Sequence, residues 1–222
     1  MTVPYGATLL GMAAQIEPAL GSSLRDDERR AWAIEIAKGI VAALKGLYPK
    51  VDEASAYISM LTKRCNSVEA DLAWTSPSGF FVSQKYRKVA VKRVQVRLPE
   101  RVRMELDVGQ HTDVIEARSA IAGSVPNVLQ SLDAAHMHKV AAEAARRGIP
   151  MASIHDCFMF HPNDAEAMGR IIREQFIETH REPFMERLRA MVSRIVDGEL
   201  PPPPQRGALQ LERVLESPFF FS

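Results

Sequence analysis

Apolar residues recur at helical spacing through the first third of the chain. Between residues 26 and 47 they stand, with charged residues between them, at Trp32, Ile36, Ile40, Ala43 and Leu47. This spacing predicts an amphipathic helix over 26–47 whose apolar face belongs to the core. The acidic residues at its start suit the positive end of the helix dipole. The same period predicts shorter helices over 7–20 and 52–64.

The pattern changes to alternation in the second third of the chain. The apolar positions Val94, Val96 and Leu98 alternate with the polar positions Gln95 and Arg97. Alternation of this kind is typical of strands. We therefore expect extended strands over 72–98 and a hairpin-like loop that continues to about residue 118.

Helical spacing returns in the last third and is interrupted by one short apolar run. We expect helices over 131–147, 163–180 and 183–198, with Asn163 and Glu166 as reciprocal caps of the middle one. Two short strands, 149–154 and 157–160, flank a bend at His155-Asp156. The Phe-rich C-terminus would be a sticky exposed patch unless it packs back onto the body, which we expect it to do. Helices mixed with small antiparallel strands predict an α+β fold.

Composition limits the function only loosely. Apolar residues make up 46% of the chain and the formal net charge is +1, so a core can form and the overall charge indicates no acidic partner. The two cysteines, Cys65 and Cys157, stand outside any Cys-x-x-Cys pattern, which fits a reducing compartment and no thiolate zinc site. No apolar run approaches the length of a membrane span. The start of the chain lacks a leader pattern, so we expect a cytosolic protein without a membrane partner.

Asp156 is the residue with the strongest chemical signal. It is a carboxylate inside the otherwise apolar run Met151–Phe160. An ionised carboxylate beside that much apolar surface is costly unless a positive group pairs with it. A divalent cation is the usual partner where the residue serves chemistry. The alternative is an aspartate that simply forms a tight turn.

Segment 85–103 concentrates positive charge. Against the single acid Glu100 it contains eight basic residues, namely Lys85, Arg87, Lys88, Lys92, Arg93, Arg97, Arg101 and Arg103. A solvated strand face explains most runs of this kind. Such an imbalance within a nearly neutral chain favours contact with a phosphate backbone.

Six segments and the Phe-rich end follow one order along the chain, namely Met1–Gly11, Trp74–Tyr86, Pro126–Met137, Ile154–Phe158, Arg173–Phe176 and His180–Pro183. In that order they resemble the single-subunit DNA-directed RNA polymerases of bacteriophage and mitochondrial type. Family A DNA polymerases share the Tyr-Gly and His-Asp elements, but they usually have Glu where this chain has Cys157. They also lack the Ser-x-Asp-x-x-His pattern of Ser131, Asp133 and His136. RNA polymerases are therefore the better match.

The resemblance implies the C-terminal part of a right-hand polymerase. It suggests partial fingers helices over 1–70, extended strands and a promoter-reading hairpin-like loop over 71–125, a palm with the His-Asp hairpin over 126–200, and a C-terminal foot segment over 201–222. Gln130 stands where the family often has a histidine near the primer terminus, so that contact is not carried over. We expect Asp133 and His136 to form a structural pair behind the site.

The resemblance also implies which residues do the chemistry. Asp156 would be one of two carboxylates that bind a pair of Mg²⁺ ions, and His155 would lie near the RNA 3′ end. Tyr5 and Gly6 would bind the incoming nucleotide. The residues expected to contact nucleic acid are Lys92, Arg93, Arg97, Arg101 and Arg103.

The same resemblance implies partners. They are a DNA template with its promoter, the RNA product and ribonucleoside triphosphates. The sequence contains no Asp-Gly-x-x-Ser-Gly-like run for the family's first metal-binding aspartate. We therefore expect a separate N-terminal polymerase polypeptide, negligible activity without it, and a location in the cytoplasm of a bacterial or phage-infected cell, with the mitochondrion as the other compartment. The alternative is a non-catalytic nucleic-acid-binding module or a degenerate polymerase fragment.

Overall fold

The computed structural model describes residues 8–21, 24–97 and 103–220, and their arrangement is α+β, as the sequence predicts. The helices are α1 (Leu9–Ile16), α2 (Asp26–Leu47), α3 (Pro49–Ser67), α4 (Ala117–Arg146), α5 (Ala165–Arg181) and α6 (Phe184–Val192). The strands pair as three antiparallel hairpins: β1 (Ala73–Thr75) with β2 (Phe81–Ser83), β3 (Arg87–Arg97) with β4 (Arg103–Ile115), and β5 (Met151–Ile154) with β6 (Cys157–Phe160). Short 3₁₀ turns follow α1, precede α5 and cover Leu211–Glu216.

Helix α2 has the predicted bounds, but its predicted core face is wrong. Ala33 and Ala37 are the fully buried residues, and they pack against Met12 and Ala13 of α1. The large apolar side chains are exposed instead, namely Trp32 (58%), Ile36 (39%), Ile40 (40%) and Leu47 (70%). Small residues let the two helix backbones approach closely, so the alanine face makes the contact and the bulky face points outward.

Helix α4 begins fourteen residues before the position that the sequence predicts, and Pro126 lies inside it. Proline removes a helical hydrogen bond, so a helix through Pro126 needs support from elsewhere. Tertiary contacts support the early turns. The buried Gln84 side chain donates to the Ala120 carbonyl at 2.7 Å, and Ser124 and Val128 are fully buried.

The predicted caps and ends of the last helices also need correction. The expected reciprocal cap of Asn163 and Glu166 is absent, because a 3₁₀ turn over Pro162–Asp164 comes first and α5 begins at Ala165. Helix α6 ends at Val192, short of the predicted residue 198, and turns follow it.

Two clusters around α4 make up most of the core. One joins α3, α6 and the β1–β2 hairpin through the fully buried Leu61, Trp74 and Val192. The Trp74 indole N–H donates to Ser131 Oγ of α4 at 2.8 Å. The other joins α4 to α5 and the β5–β6 hairpin, and it contains Val140 and Met168. Helix α4 therefore lies between the two clusters and makes contact with both.

The C-terminal segment packs back onto the body, as predicted. Arg206 donates to the carbonyls of His180, Arg181 and Glu182 at the end of α5. The Phe220 ring packs 4.9 Å from that of Phe176, between ring centres. In the described part of the chain, no helix combines the length and apolar character needed to cross a membrane.

Candidate functional site

The β5–β6 hairpin presents the predicted His-Asp step at its tip. Ile154 pairs with Cys157, which leaves His155 and Asp156 as a two-residue turn. His155 has φ +53°, in the left-handed region. Turns with a positive φ at this place usually have glycine there, and an ordinary residue costs about 1–2 kcal/mol. The fold therefore keeps an imidazole at a position where a glycine would be less strained.

One face of this hairpin anchors it and leaves the tip projecting. Met151, Phe158 and Phe160 are half-buried and pack against the cluster between α4 and α5. Ile154 and Met159 point to the opposite side and are exposed. The alternation of a β-hairpin thus fixes the base while His155 and Asp156 remain accessible.

Asp156 and His155 line an open cleft of about 410 Å³ against α4. The other wall consists of Gln130, Asp133, Ala134 and Met137. These four positions are spaced three, four and seven apart, so they share one face of the helix. Asp156 is exposed, and no described residue forms a hydrogen bond or ion pair with its carboxylate. An aspartate that served only to stabilise the turn would be expected to bond to neighbouring backbone amides.

The donor atoms around this cleft suit magnesium. The Asp156 and Asp133 carboxylates and the Gln130 amide supply oxygen, which Mg²⁺ prefers. Across residues 8–21, 24–97 and 103–220, no three His, Cys, Asp or Glu side chains form a metal-binding group. Magnesium typically takes one or two protein carboxylates together with water and substrate phosphates, so a sparse set still fits.

A buried histidine connects the back of the cleft to α5. His136 is 6% exposed, and its Nε2 donates to the Ile172 carbonyl at 2.9 Å. Its ring meets the edges of Phe158 and Phe176 with centres 6.0 and 5.7 Å apart. Burial lowers the pKa of His136, although the nearby charge of Asp133 acts to raise it. A neutral, hydrogen-bonded His136 therefore supports the hairpin from behind.

The β3–β4 ribbon extends away from the body with both faces exposed. Residues that pair across an antiparallel ladder share a face. Arg93 pairs with Asp107 and Gln95 with Glu105 on one face, while Val94 and Val96 pair with Leu106 and Met104 on the other. Lys92 pairs with Val108, on the apolar side. The outer part of the ribbon therefore has one polar and one apolar face, whereas nearer the body Val89 and Val91 lie on the same face as Arg93.

The return strand reduces the positive charge that the sequence indicated. Strands β3 and β4 together contain six basic and three acidic residues. Arg93 donates to Asp107 at 3.0 Å, and Arg87 forms a two-point ion pair with Asp71 at 2.5 and 2.6 Å. Lys92 and Arg103 are exposed. The count over 85–103 missed the acids of β4 because they follow that segment in the sequence.

Four of the predicted site residues are wholly or partly outside the described structure. Tyr5, Gly6 and Arg101 lie outside the described residues, as does the side chain of Arg97. Conversely, the α4 wall was expected only in part. The resemblance placed Gln130 and Asp133 near the site, but it set Asp133 behind the site, whereas Asp133 lines the cleft. The spacing of Gln130, Asp133, Ala134 and Met137 on one helix face was the available signal, but nothing in the sequence showed that this face lies opposite the hairpin.

The chain is similar to known proteins that are RNA polymerases of one kind. Residues 1–199 match the sequence profile of the family described as DNA-dependent RNA polymerase. The chain is 32% identical over its full length to the mitochondrial DNA-directed RNA polymerase 1 of Arabidopsis thaliana, and spans 23% of that protein. It is 30% identical to DNA-directed RNA polymerase 2A of Nicotiana tabacum, and spans 67% of that one.

The relatives correct the expected location. Those from Arabidopsis thaliana, Nicotiana sylvestris and Nicotiana tabacum include proteins named as mitochondrial or chloroplastic. These names point to organelles. The expectation of a bacterial or phage-infected cytoplasm, which relied on the absence of a leader pattern, is therefore wrong.

Proposed function

Because the chain belongs to the DNA-dependent RNA polymerase family, we propose that it carries the C-terminal half of the catalytic centre of a template-directed RNA polymerase. The reaction joins the 3′-hydroxyl of RNA to the α-phosphate of a ribonucleoside triphosphate and releases pyrophosphate. The observation that carries the proposal is the exposed Asp156 carboxylate at a strained hairpin tip, facing an open cleft. Plant relatives with organellar names favour an organelle as the location.

In this proposal Asp156 would hold Mg²⁺ in the cleft, with Asp133 and Gln130 as further oxygen donors on α4. Mg²⁺ held there would supply positive charge for the phosphate in the transition state and would lower the pKa of the 3′-hydroxyl. His155 lies beside Asp156 and orients the RNA 3′ end by a hydrogen bond from its imidazole. Met137 and Ala134 give the cleft an apolar wall that restricts water near the reacting atoms.

The β3–β4 ribbon provides the DNA contact in the same proposal. A two-stranded ribbon fits the major groove of duplex DNA. Its polar face presents Arg93, Gln95 and Glu105, which have the hydrogen-bonding groups that read base edges. Lys92 and Arg103 supply exposed charge for phosphates.

Among the described residues, the cleft contains only the Asp156 and Asp133 carboxylates. We therefore propose that a further metal-binding carboxylate, needed to hold a pair of ions, and the groups that bind the triphosphate come from polymerase residues outside this sequence. A separate N-terminal polypeptide would supply them. The chain alone would then show negligible synthesis.

A reconstitution experiment tests this function. The chain is mixed with an N-terminal polymerase polypeptide, a DNA template and the four ribonucleoside triphosphates. RNA complementary to the template should form only when both polypeptides are present. Synthesis by the N-terminal polypeptide alone, at the same rate, would contradict the proposal, as would a mixture that binds DNA but never makes RNA.

A further inference from the structure

The β1–β2 hairpin lies along the side of α4 that adjoins the Asp156 cleft. Two hydrogen bonds fix it there. Near its base, Trp74 donates to Ser131 Oγ at 2.8 Å, and at its turn Ser78 Oγ is 3.2 Å from His138 Nδ1. Ser131 and His138 are seven residues apart, which is two helical turns, so both bonds form on one face of α4.

That face is next to the wall of the cleft. Ala134 lines the cleft and His138 follows it by one helical turn, so the two residues are neighbours on the helix surface. The Phe80 ring lies 6.1 Å from the His138 ring, between centres. Phe80 therefore lies against His138, one helical turn from the wall of the cleft.

Phe80 is held in place although it is exposed. It is 63% exposed, and its neighbour Phe81 is 60% exposed. The turn before it is closed by bonds from Ser76 N to the Phe80 carbonyl (2.8 Å) and from Gly79 N to the Ser76 carbonyl (2.9 Å). The buried Ser76 also bonds to Ser78, which in turn orients His138. These bonds fix the backbone of the turn, and the Phe80 and Phe81 rings project from it outside the described core clusters.

We propose that Phe80 and His138 form a stacking platform for an unpaired nucleobase of single-stranded nucleic acid at the edge of the cleft. Ordered exposed aromatic rings bind single strands by stacking on bases without regard to sequence. The imidazole of His138, tilted by 57° relative to the Phe80 ring, adds a second aromatic face beside it. The inference rests on the proposed function, because the adjoining cleft is what brings nucleic acid to this surface.

Fluorescence anisotropy of a labelled single-stranded oligonucleotide with the full chain tests the platform. Phe80→Ala should weaken binding about tenfold. Phe80→Trp should restore it, and the new tryptophan emission should be quenched by the oligonucleotide. Phe219→Ala is the matched control, since Phe219 is 81% exposed on the C-terminal segment, and it should bind like the wild type.

Several outcomes would overturn the platform. Unchanged binding by Phe80→Ala would do so, as would equal losses from Phe80→Ala and Phe219→Ala. A Phe80→Ala effect on association with the N-terminal polypeptide, without any effect on the oligonucleotide, would assign this surface to a protein. The polymerase function is tested separately by Asp156→Asn in RNA synthesis. If that variant loses synthesis while Phe80→Ala binds normally, only the platform is wrong.

Discussion

Replacing Gly123 by alanine tests how the ribbon is attached to α4. Gly123 lies in the part of the helix that the sequence did not predict, under the Tyr86 ring at the base of β3. A Cβ atom at Gly123 would lie 2.3 Å from the Tyr86 hydroxyl oxygen and 2.8 Å from the adjacent ring carbon. Both distances are far below van der Waals contact, so the ring must move.

The expected change in the free energy of unfolding has two opposing parts. Overpacking of this kind costs about 1–3 kcal/mol, and the better helix propensity of alanine returns about 1 kcal/mol. Moving the ring also strains the 3.3 Å bond from the Asn127 amide to the Tyr86 hydroxyl. We expect Gly123→Ala to lower the free energy of unfolding by up to about 2 kcal/mol.

Gly39 provides a matched control for this substitution. It is exposed in the middle of α2, and a Cβ there would meet nothing within 4 Å. Gly39→Ala should therefore raise the free energy of unfolding by about 1 kcal/mol. Urea denaturation of both variants, followed by circular dichroism, measures the difference. Equal shifts in the same direction would refute the packing of Tyr86 on α4.

Three further predictions concern single side chains. His155→Gly should stabilise the chain by about 1 kcal/mol in urea denaturation, by relieving its positive φ, yet slow RNA synthesis by the reconstituted enzyme; a faster enzyme would contradict the proposed role of the imidazole. Burial lowers the pKa of His136 and His180 below the ordinary 6.5. The stability that these two neutral histidines contribute should be present above pH 6.5 and lost below it, at up to about 1.4 kcal/mol per pH unit for each. A free energy of unfolding that stays constant between pH 7 and 5, in His136→Gln and the wild type alike, would contradict this. Cys157 is exposed, whereas burial raises the pKa of the Cys65 thiol to about 11. A thiol reagent at pH 8 should therefore label Cys157 alone until the chain is unfolded. Mass spectrometry of the labelled peptides measures this, and labelling of Cys65 before Cys157 would contradict it.

The His-Asp hairpin shows what a sequence pattern can predict well. The run on each side of Asp156 is apolar over a few residues, and the two-residue bend leaves one register for the pair. The positive φ of His155 belongs to this two-residue turn. The face of α4 opposite does not follow from local spacing, because it depends on how the hairpin packs against that helix.

Helix α2 shows that a hydrophobic pattern can predict a helix correctly and its buried face wrongly. A stripe of large apolar residues usually marks the core face, and Trp32 belongs to such a stripe. The structure buries Ala33 and Ala37 instead, since close approach of α1 favours small side chains. The helical period of this stripe is correct, but the stripe faces solvent and not the core. The early turns of α4 likewise do not follow from spacing, because tertiary contacts support the helix around Pro126.

The β3–β4 ribbon shows why the charge of one strand must be counted together with that of its partner strand. Counting residues along one strand ignores the partner strand, and Asp107 offsets Arg93 only once the register is known. Which basic residues remain available for phosphates is therefore a property of the pairing. Lys92 and Arg103 keep their exposure, and Arg87 does not.

The most direct test of the account is the rate of a single nucleotide addition to an RNA primer by the reconstituted enzyme. Asp156→Asn keeps the size of the side chain and removes its charge. We expect the rate to fall about 1,000-fold, which corresponds to the several kcal/mol that a bound metal ion supplies. Asp197→Asn, at an exposed turn after α6, should leave the rate unchanged. A rate for Asp156→Asn within twofold of the wild type would contradict the assignment of Asp156 as a metal-binding carboxylate.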